Sequence, residues 1–311
     1  MLRSTLLYLS NQPRIFRFVR NNKLAKKFAS RFVAGETLDE ALAAVRALNS
    51  KGITASLDLL GESVNNEREA RSAANEYFAI LDRIHEQRLE ANASVKLTAM
   101  GLDISEELCV SIMHDVLGRA QAYGSFVRLD MESSAYTERT LRLFEDRLYP
   151  AYKDHVGIVL QSYLYRTWSD VERALQIKCR VRLCKGAYKE PASVAFAEKS
   201  EVDSNYVKCM HALIERGNYP GIATHDPAII AEAKRFVAEH SIERSRFEFQ
   251  MLYGIRRDLQ EQLVKEGYRM RVYVPFGTQW YPYLMRRLAE RPANVAFITG
   301  NVVREMIGGK G

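Results

Sequence analysis

From residue 52 onward, eight short apolar runs alternate with stretches of helical periodicity, and that rhythm admits few architectures. The runs are GITASLDLLGE (52–62), ASVKLTAMG (93–101), FVRLDMESS (126–134), GIVLQSYL (157–164), RVRLCKGAY (180–188), GIATHD (221–226), FEFQMLYG (247–254) and YRMRVYVPFG (268–277). Each is rich in Val, Ile, Leu, Phe or Tyr, as strands covered on both faces are. Segments such as NEREARSAANEYFAILDRIHEQR and DPAIIAEAKRFVAEHS lie between them, with apolar residues recurring every third or fourth position. Eight strand–helix units in 311 residues is the arithmetic of a (βα)8 barrel of the α/β class. A doubly wound sheet is the competitor, but no GxGxxG follows the first run. The expectation is a (βα)8 TIM-like barrel over residues 49–311, preceded by an N-terminal helical arm over 1–48.

Charge and cysteine usage narrow the partners. The formal charge is +7, yet residues 1–35 hold eight Lys or Arg and no Asp or Glu, which leaves the other 276 residues at −1. A basic groove for nucleic acid is therefore not expected. The acid-free arm, MLRSTLLYLSNQPRIFRFVRNNKLAKK, is amphipathic. It is read as helices packed on the main domain, with docking on a membrane surface as the alternative. No run of 18 apolar residues is present to span a bilayer. Cys109, Cys179, Cys184 and Cys209 show no zinc spacing, and no secretory signal precedes them, so they are expected to be reduced thiols in a cytoplasmic compartment.

In a barrel of this kind, reacting groups gather where strands end. Those positions carry Asp58 and Glu62, Lys96, Asp130 and Glu132, Gln161, then Arg182, Lys185 and Tyr188. Thr224, His225 and Asp226, Gln250 and Tyr253, and Tyr273 complete the rim. Polar groups in apolar strands cost about 1–3 kcal/mol each unless paired, so so many on one rim argue for a site. One strand-end histidine is too few for zinc, and no GxSxG elbow appears, so neither a metal nor a nucleophilic triad is expected. The CKGAY turn, with Arg182 before it, suits an anionic ligand such as a phosphate, although Lys185 paired with Asp130 or Glu132 is an equal reading. Near the C-terminus, Tyr283, Arg286, Arg287 and Glu290 fall within about 100° of arc on one helix.

The fragments LLGE (59–62), RLDMESS (128–134), VLQSYL (159–164), RLCKGAY (182–188), ATHD (223–226), EFQMLYG (248–254) and YLMRRLAE (283–290) occur in an order that resembles the flavin-dependent proline dehydrogenase family. Length, and the lack of an appended aldehyde-dehydrogenase domain, resemble its monofunctional bacterial form. The resemblance implies oxidation of L-proline to Δ1-pyrroline-5-carboxylate by hydride transfer to N5 of a noncovalent FAD. Electrons would pass to a membrane quinone, which makes the basic arm a candidate docking element at the inner face of the cell membrane. The final helix would lie over the barrel mouth.

Residue by residue, the resemblance assigns Arg286 and Arg287 to the substrate carboxylate, for which guanidinium forks are suited. Glu290 would support those forks, and Glu62 would pair with one of them to close the site. Tyr273 and Tyr283, with Leu183 or a neighbour, would wall the pyrrolidine ring, and Tyr283 would crowd a hydroxylated ring. Lys96 and Asp130 would stand near the substrate amine and carboxylate. Met131 and Gln161 would contact the isoalloxazine, with Arg182 at its N5 edge. Lys185, Gly186, Ala187 and Tyr188 would follow the cofactor chain, and Thr224, His225 and Gln250 its far end. The VPFGTQWYP loop is shorter than in the large bifunctional enzymes, which bears on how tightly the last helix closes. Two other readings compete: a Schiff-base aldolase using Lys96 or Lys185, and a membrane-surface scaffold acting through the arm.

Overall fold

The computed structural model describes residues 29–61 and 64–290, with side chains through Met285. Eight strands follow one another in chain order around a closed barrel. They are β1 (Thr54–Leu59), β2 (Ala91–Val95), β3 (Val127–Leu129), β4 (Val156–Gln161), β5 (Arg180–Cys184), β6 (Gly221–Ala223), β7 (Glu248–Leu252) and β8 (Arg269–Phe276). All neighbours are parallel, and β1 closes against β8 in a register from Thr54 opposite Arg271 to Leu59 opposite Phe276. The α/β class and the (βα)8 barrel expected from the sequence are what the chain forms.

The strands are shorter than the apolar runs. β2 ends at Val95, and Thr98–Met100 is a 3-10 turn; β5 ends at Cys184, before the KGAY segment. Residues such as Lys96, Asp130 and Lys185 therefore stand just beyond the ladder, where side chains can turn over the barrel axis.

Helices surround the barrel: α1 (Leu38–Asn49), α2 (Glu67–Glu86), α3 (Glu106–Ala122), α4 (Ser134–Leu143), α5 (Thr167–Ile177), α6 (Lys199–Arg216), α7 (Pro227–Glu239), α8 (Arg257–Lys265) and α9 (Trp280–Glu290). α2 shows why they form. Asn66 accepts from the Glu69 N–H at its start, and Ala70, Ala74, Tyr77, Leu81 and Ile84 make the stripe it buries.

α1 packs on β1 and β8. In a regular barrel the helix after β8 occupies that place. Here α1 holds it, and the chain before α1 lies beside the end of β8, with Ala34 N–H donating to Pro275 and Gly277 N–H to Gly35. α9 is thereby released to the carboxyl face, where Tyr283 reaches the mouth cavity. Residues 1–28, which make up most of the expected arm, lie outside the described residues, as does Glu62. No described helix is long and apolar enough to cross a membrane.

Strand alternation splits the residues cleanly. Leu57, Val95, Leu129, Ile158, Leu183, Phe249 and Val272 point outward into the apolar shell under the helices. The interior instead receives Ser56, Ser94, Arg128, Arg182, Glu248, Gln250 and Arg271, so this barrel is lined by charges where branched aliphatics are usual.

Candidate active site

The interior polar groups form one connected column. At its base, Glu248 Oε1 accepts from Arg271 Nε at 2.7 Å and from Gln250 Nε2 at 2.6 Å. Gln250 Oε1 in turn accepts from Arg182 Nε at 2.6 Å. Arg182 donates onward to Asp130 Oδ1 at 2.7 Å and to Ser94 Oγ at 3.1 Å. The other oxygen of Asp130 accepts from the Tyr273 hydroxyl at 2.7 Å. Alongside, Lys96 Nζ donates to Asp58 Oδ1 at 2.9 Å. Two glycines make room for these side chains. A Cβ on Gly157 would sit 2.6 Å from Arg128 NH1, and one on Gly221 only 2.3 Å from Gln250 Nε2.

Burial shapes how these groups ionise. It raises the Asp58 carboxyl, against the pull of Lys96. It also pushes the Tyr273 phenol well up, assisted by the Asp130 charge, so Tyr273 stays a neutral donor. Burial works against the Glu248 charge too, but Arg271 outweighs it and holds that carboxyl below its usual range.

Above the column opens a cavity of about 730 Å3, within the range of small-molecule and cofactor sites. Lys96, Asp130, Met131, Gln161, Arg182, Lys185, Gly186, Ala187, Tyr188, Thr224, His225, Gln250, Tyr273 and Tyr283 all line it. Arg286, Arg287 and Glu290 belong to α9, but their side chains lie outside the described residues.

Two expectations change. Leu183 is fully buried in the outer shell and does not wall the cavity, because Arg182 and Cys184 take the inward positions on β5. Lys185 pairs with neither Asp130 nor Glu132. It bridges Asp203 at 2.5 Å and Asp226 at 3.0 Å, while Glu132 accepts from the Thr98 backbone and hydroxyl. The rim is also less cationic than its residue types suggest, since Arg182 is matched by Asp130 and Lys96 by Asp58.

Sequence reasoning missed two charged cavity residues, Lys199 and Arg256. Lys199 pairs with Asp203 one helical turn on, a spacing visible in the sequence. Arg256 adopts a left-handed backbone with φ of 53°, which nothing in YGIRR announces.

The donors present suit a flavin nucleotide. Gln161 Nε2 donates to the Glu132 carbonyl at 3.2 Å, while its buried Oε1 has no partner among the described residues. An unfilled acceptor suits a ring bearing an N–H group. His225 Nε2 accepts from the Leu252 N–H at 2.9 Å, so its proton lies on Nδ1. Lys185 and Lys199 flank the start of α7, where Asp226 caps the Ala228 N–H, a setting suited to phosphate. No cluster of His, Cys, Asp or Glu among the described residues could hold a metal ion.

Known proteins resemble this chain. Residues 41–300 match the family model described as proline dehydrogenase. Proline dehydrogenase 1 of Bacillus subtilis is 43% identical over 98% of this chain and 100% of its own length. The proline dehydrogenase of Deinococcus radiodurans is 39% identical over 98% of each. Among solved structures, proline utilization A from Bdellovibrio bacteriovorus, inactivated by N-propargylglycine, superposes with a TM-score of 0.81 at 28% identity. That likeness covers 89% of this chain, which spans only about a third, 34%, of that one. Along nearly its whole length, then, this chain belongs to the proline dehydrogenase family.

Proposed function

We propose that this protein oxidises L-proline to Δ1-pyrroline-5-carboxylate with a noncovalent FAD, the first step of proline catabolism, and that a membrane quinone takes the electrons onward. The observation that carries this reading is the cavity over the barrel, in which fourteen residues assigned by the family resemblance converge. The same membership leaves the Schiff-base aldolase and the scaffold without support. Neither lysine is presented bare for imine formation, since Lys96 donates to Asp58 and Lys185 to Asp203 and Asp226.

When bound, FAD supplies the two-electron acceptor that no side chain here provides. The chain's own residues supply position and field. Arg286 and Arg287, carried on α9, are assigned the substrate carboxylate, with Glu290 and Glu62 in support. Tyr283 and Tyr273 would flank the ring, and Tyr283 would disfavour a ring hydroxyl. Hydride leaves carbon readily only beside a neutral amine, whose lone pair stabilises the developing iminium. With Arg182 and Lys96 already matched by carboxylates, the positive charge that disfavours an ammonium falls chiefly to Arg286 and Arg287. Asp130, fixed on both oxygens, is assigned a place beside the substrate amine and carboxylate, and Arg182, fixed on three sides, the N5 edge of the flavin. Met131, Gln161, Lys185 through Tyr188, Thr224, His225 and Gln250 are assigned to the cofactor.

Two measurements test the proposal. Heat denaturation should release FAD, not FMN, from the purified protein, and turnover with L-proline and a quinone analogue should yield the pyrroline product. Release of no flavin, or turnover only with another amino acid, would overturn it. Removing residues 1–27 should reduce activity with membrane-embedded quinone and spare activity with a soluble one. Equal activity with both would remove the arm from the account.

A further inference from the structure

The segment after β5 crosses the cavity rim outside the barrel ladder, tied to its neighbour by an isolated bridge between Leu164 and Ala195, and one tyrosine contacts it at four points. The Tyr163 N–H donates to the Lys185 carbonyl at 2.9 Å, and the Tyr163 carbonyl accepts from the Phe196 N–H at 2.8 Å. Its ring lies so close beneath Gly186 that an added Cβ would fall 2.4 Å from the ring carbons. Gly186 also has φ of +113°, so glycine is required there twice over. Finally, the Tyr163 hydroxyl donates to Glu190 Oε1 at 3.2 Å.

Glu190 completes the arrangement from the other side. Its carboxylate accepts from the Ser134 N–H at 2.8 Å and also from the Ser134 hydroxyl. α4, which begins at Ser134, has no capping side chain at its own N-cap residue. Glu190 therefore supplies, from 56 positions away, the acceptor that the first turn of α4 lacks, at the end where a negative charge is favoured. Neither Tyr163 nor Glu190 lines the cavity. Burial and the adjoining carboxylate push the Tyr163 hydroxyl up, which keeps it a donor at neutral pH.

We infer that Tyr163 and Glu190 act as a clasp: they hold Lys185–Tyr188 against the mouth and thereby set how fast FAD is released. This rests on the assignment of those four residues to the cofactor. Both are positioning residues, since each acts through the segment it holds.

The test uses the FAD-loaded full-length protein and three variants: Glu190→Ala, Glu190→Gln and Tyr163→Phe. FAD release after dilution is followed by flavin fluorescence, and trypsin cleavage after Lys185 or Lys189 is followed on the same samples. Glu190→Ala should release FAD about tenfold faster, as expected for losing a helix-capping carboxylate, and should be cleaved faster. Glu190→Gln keeps an acceptor and should recover most of the wild-type rate, with Tyr163→Phe between. Unchanged release in Glu190→Ala, or faster cleavage without faster release, would overturn the clasp. Equal acceleration in Glu190→Ala and Glu190→Gln would also overturn it. Wild-type protein that retains no FAD would defeat the cofactor assignment itself, an outcome separate from retained FAD with unaltered release.

Discussion

At the end of the cavity bounded by β1, β2, β3 and β5, Asp58, Lys96, Asp130 and Arg182 are each no more than 8% exposed and paired among themselves. At the far end, Lys185, Lys199, Asp203 and Asp226 meet on loops and helix starts, with side chains a quarter exposed or more. Both are four-charge clusters with two cations and two anions. The first hangs from strands, or from the residue next to a strand end, so the spacing of the barrel fixes its geometry. The second hangs from segments held by ion pairs in contact with water, which rearrange at little cost. A rigid end fits the bond-breaking chemistry, and an adjustable end fits a cofactor tail that must enter and leave.

The largest effect should come from Asp130→Ala, which strands the Arg182 guanidinium in the interior and removes the acceptor of Tyr273. Breaking a buried pair this way should cost about 3–5 kcal/mol by urea unfolding. The matching change at the far end, Asp203→Ala, should cost no more than about 1 kcal/mol. Similar losses would break the contrast.

Gly221→Ala probes the rigid end without touching a charge. Its Cβ would displace Gln250, which is held on both sides by Glu248 and Arg182 and has no slack. A loss of roughly 1–3 kcal/mol is expected, together with reduced turnover. Full activity would show that Gln250 does not set the position of Arg182.

Acid should move the two ends in opposite directions. Burial raises the Asp58 carboxyl above its ordinary 3.8, so the folded state binds that proton more readily than the unfolded chain. Its contribution to stability is full below 3.8 and is lost as pH rises through the raised value. For Asp203, burial is outweighed by Lys185 and Lys199, which hold the carboxyl below 3.8; its contribution is present above 3.8 and lost as pH falls through the lowered value. Over roughly pH 6 to 3, Asp58→Asn should therefore lose stability more steeply than wild type, and Asp203→Asn less steeply. Parallel curves would contradict both assignments.

The smallest change should be Lys199→Ala. With 76% of its side chain exposed, it should shift stability by no more than about 0.5 kcal/mol.

Much of this is legible in the sequence itself. The eight apolar runs gave the barrel, the polar residues ending them gave much of the cavity lining from Asp58 to Tyr273, and the face of the last helix gave Tyr283. The face of Leu183 was legible too, since an inward Arg182 forces its neighbour outward. What stayed hidden was pairing across the fold. The sequence offered Asp130 and Glu132 as partners for Lys185, and only the placement of α6 and α7 selects Asp203 and Asp226. Glu190 meets Ser134 because the loop after β5 crosses the start of α4, and no local periodicity records that meeting. Arg256 enters the cavity through a backbone conformation its sequence does not signal.

The most direct measurement is the visible spectrum of the purified protein before and after L-proline is added without oxygen. An oxidised-flavin spectrum that proline bleaches would establish cofactor, substrate and direction of electron flow at once, and this is the predicted result. A flavin spectrum untouched by proline would contradict the substrate assignment and turn attention to Arg286, Arg287 and Tyr283. A protein that stays colourless after added FAD would contradict the account as a whole.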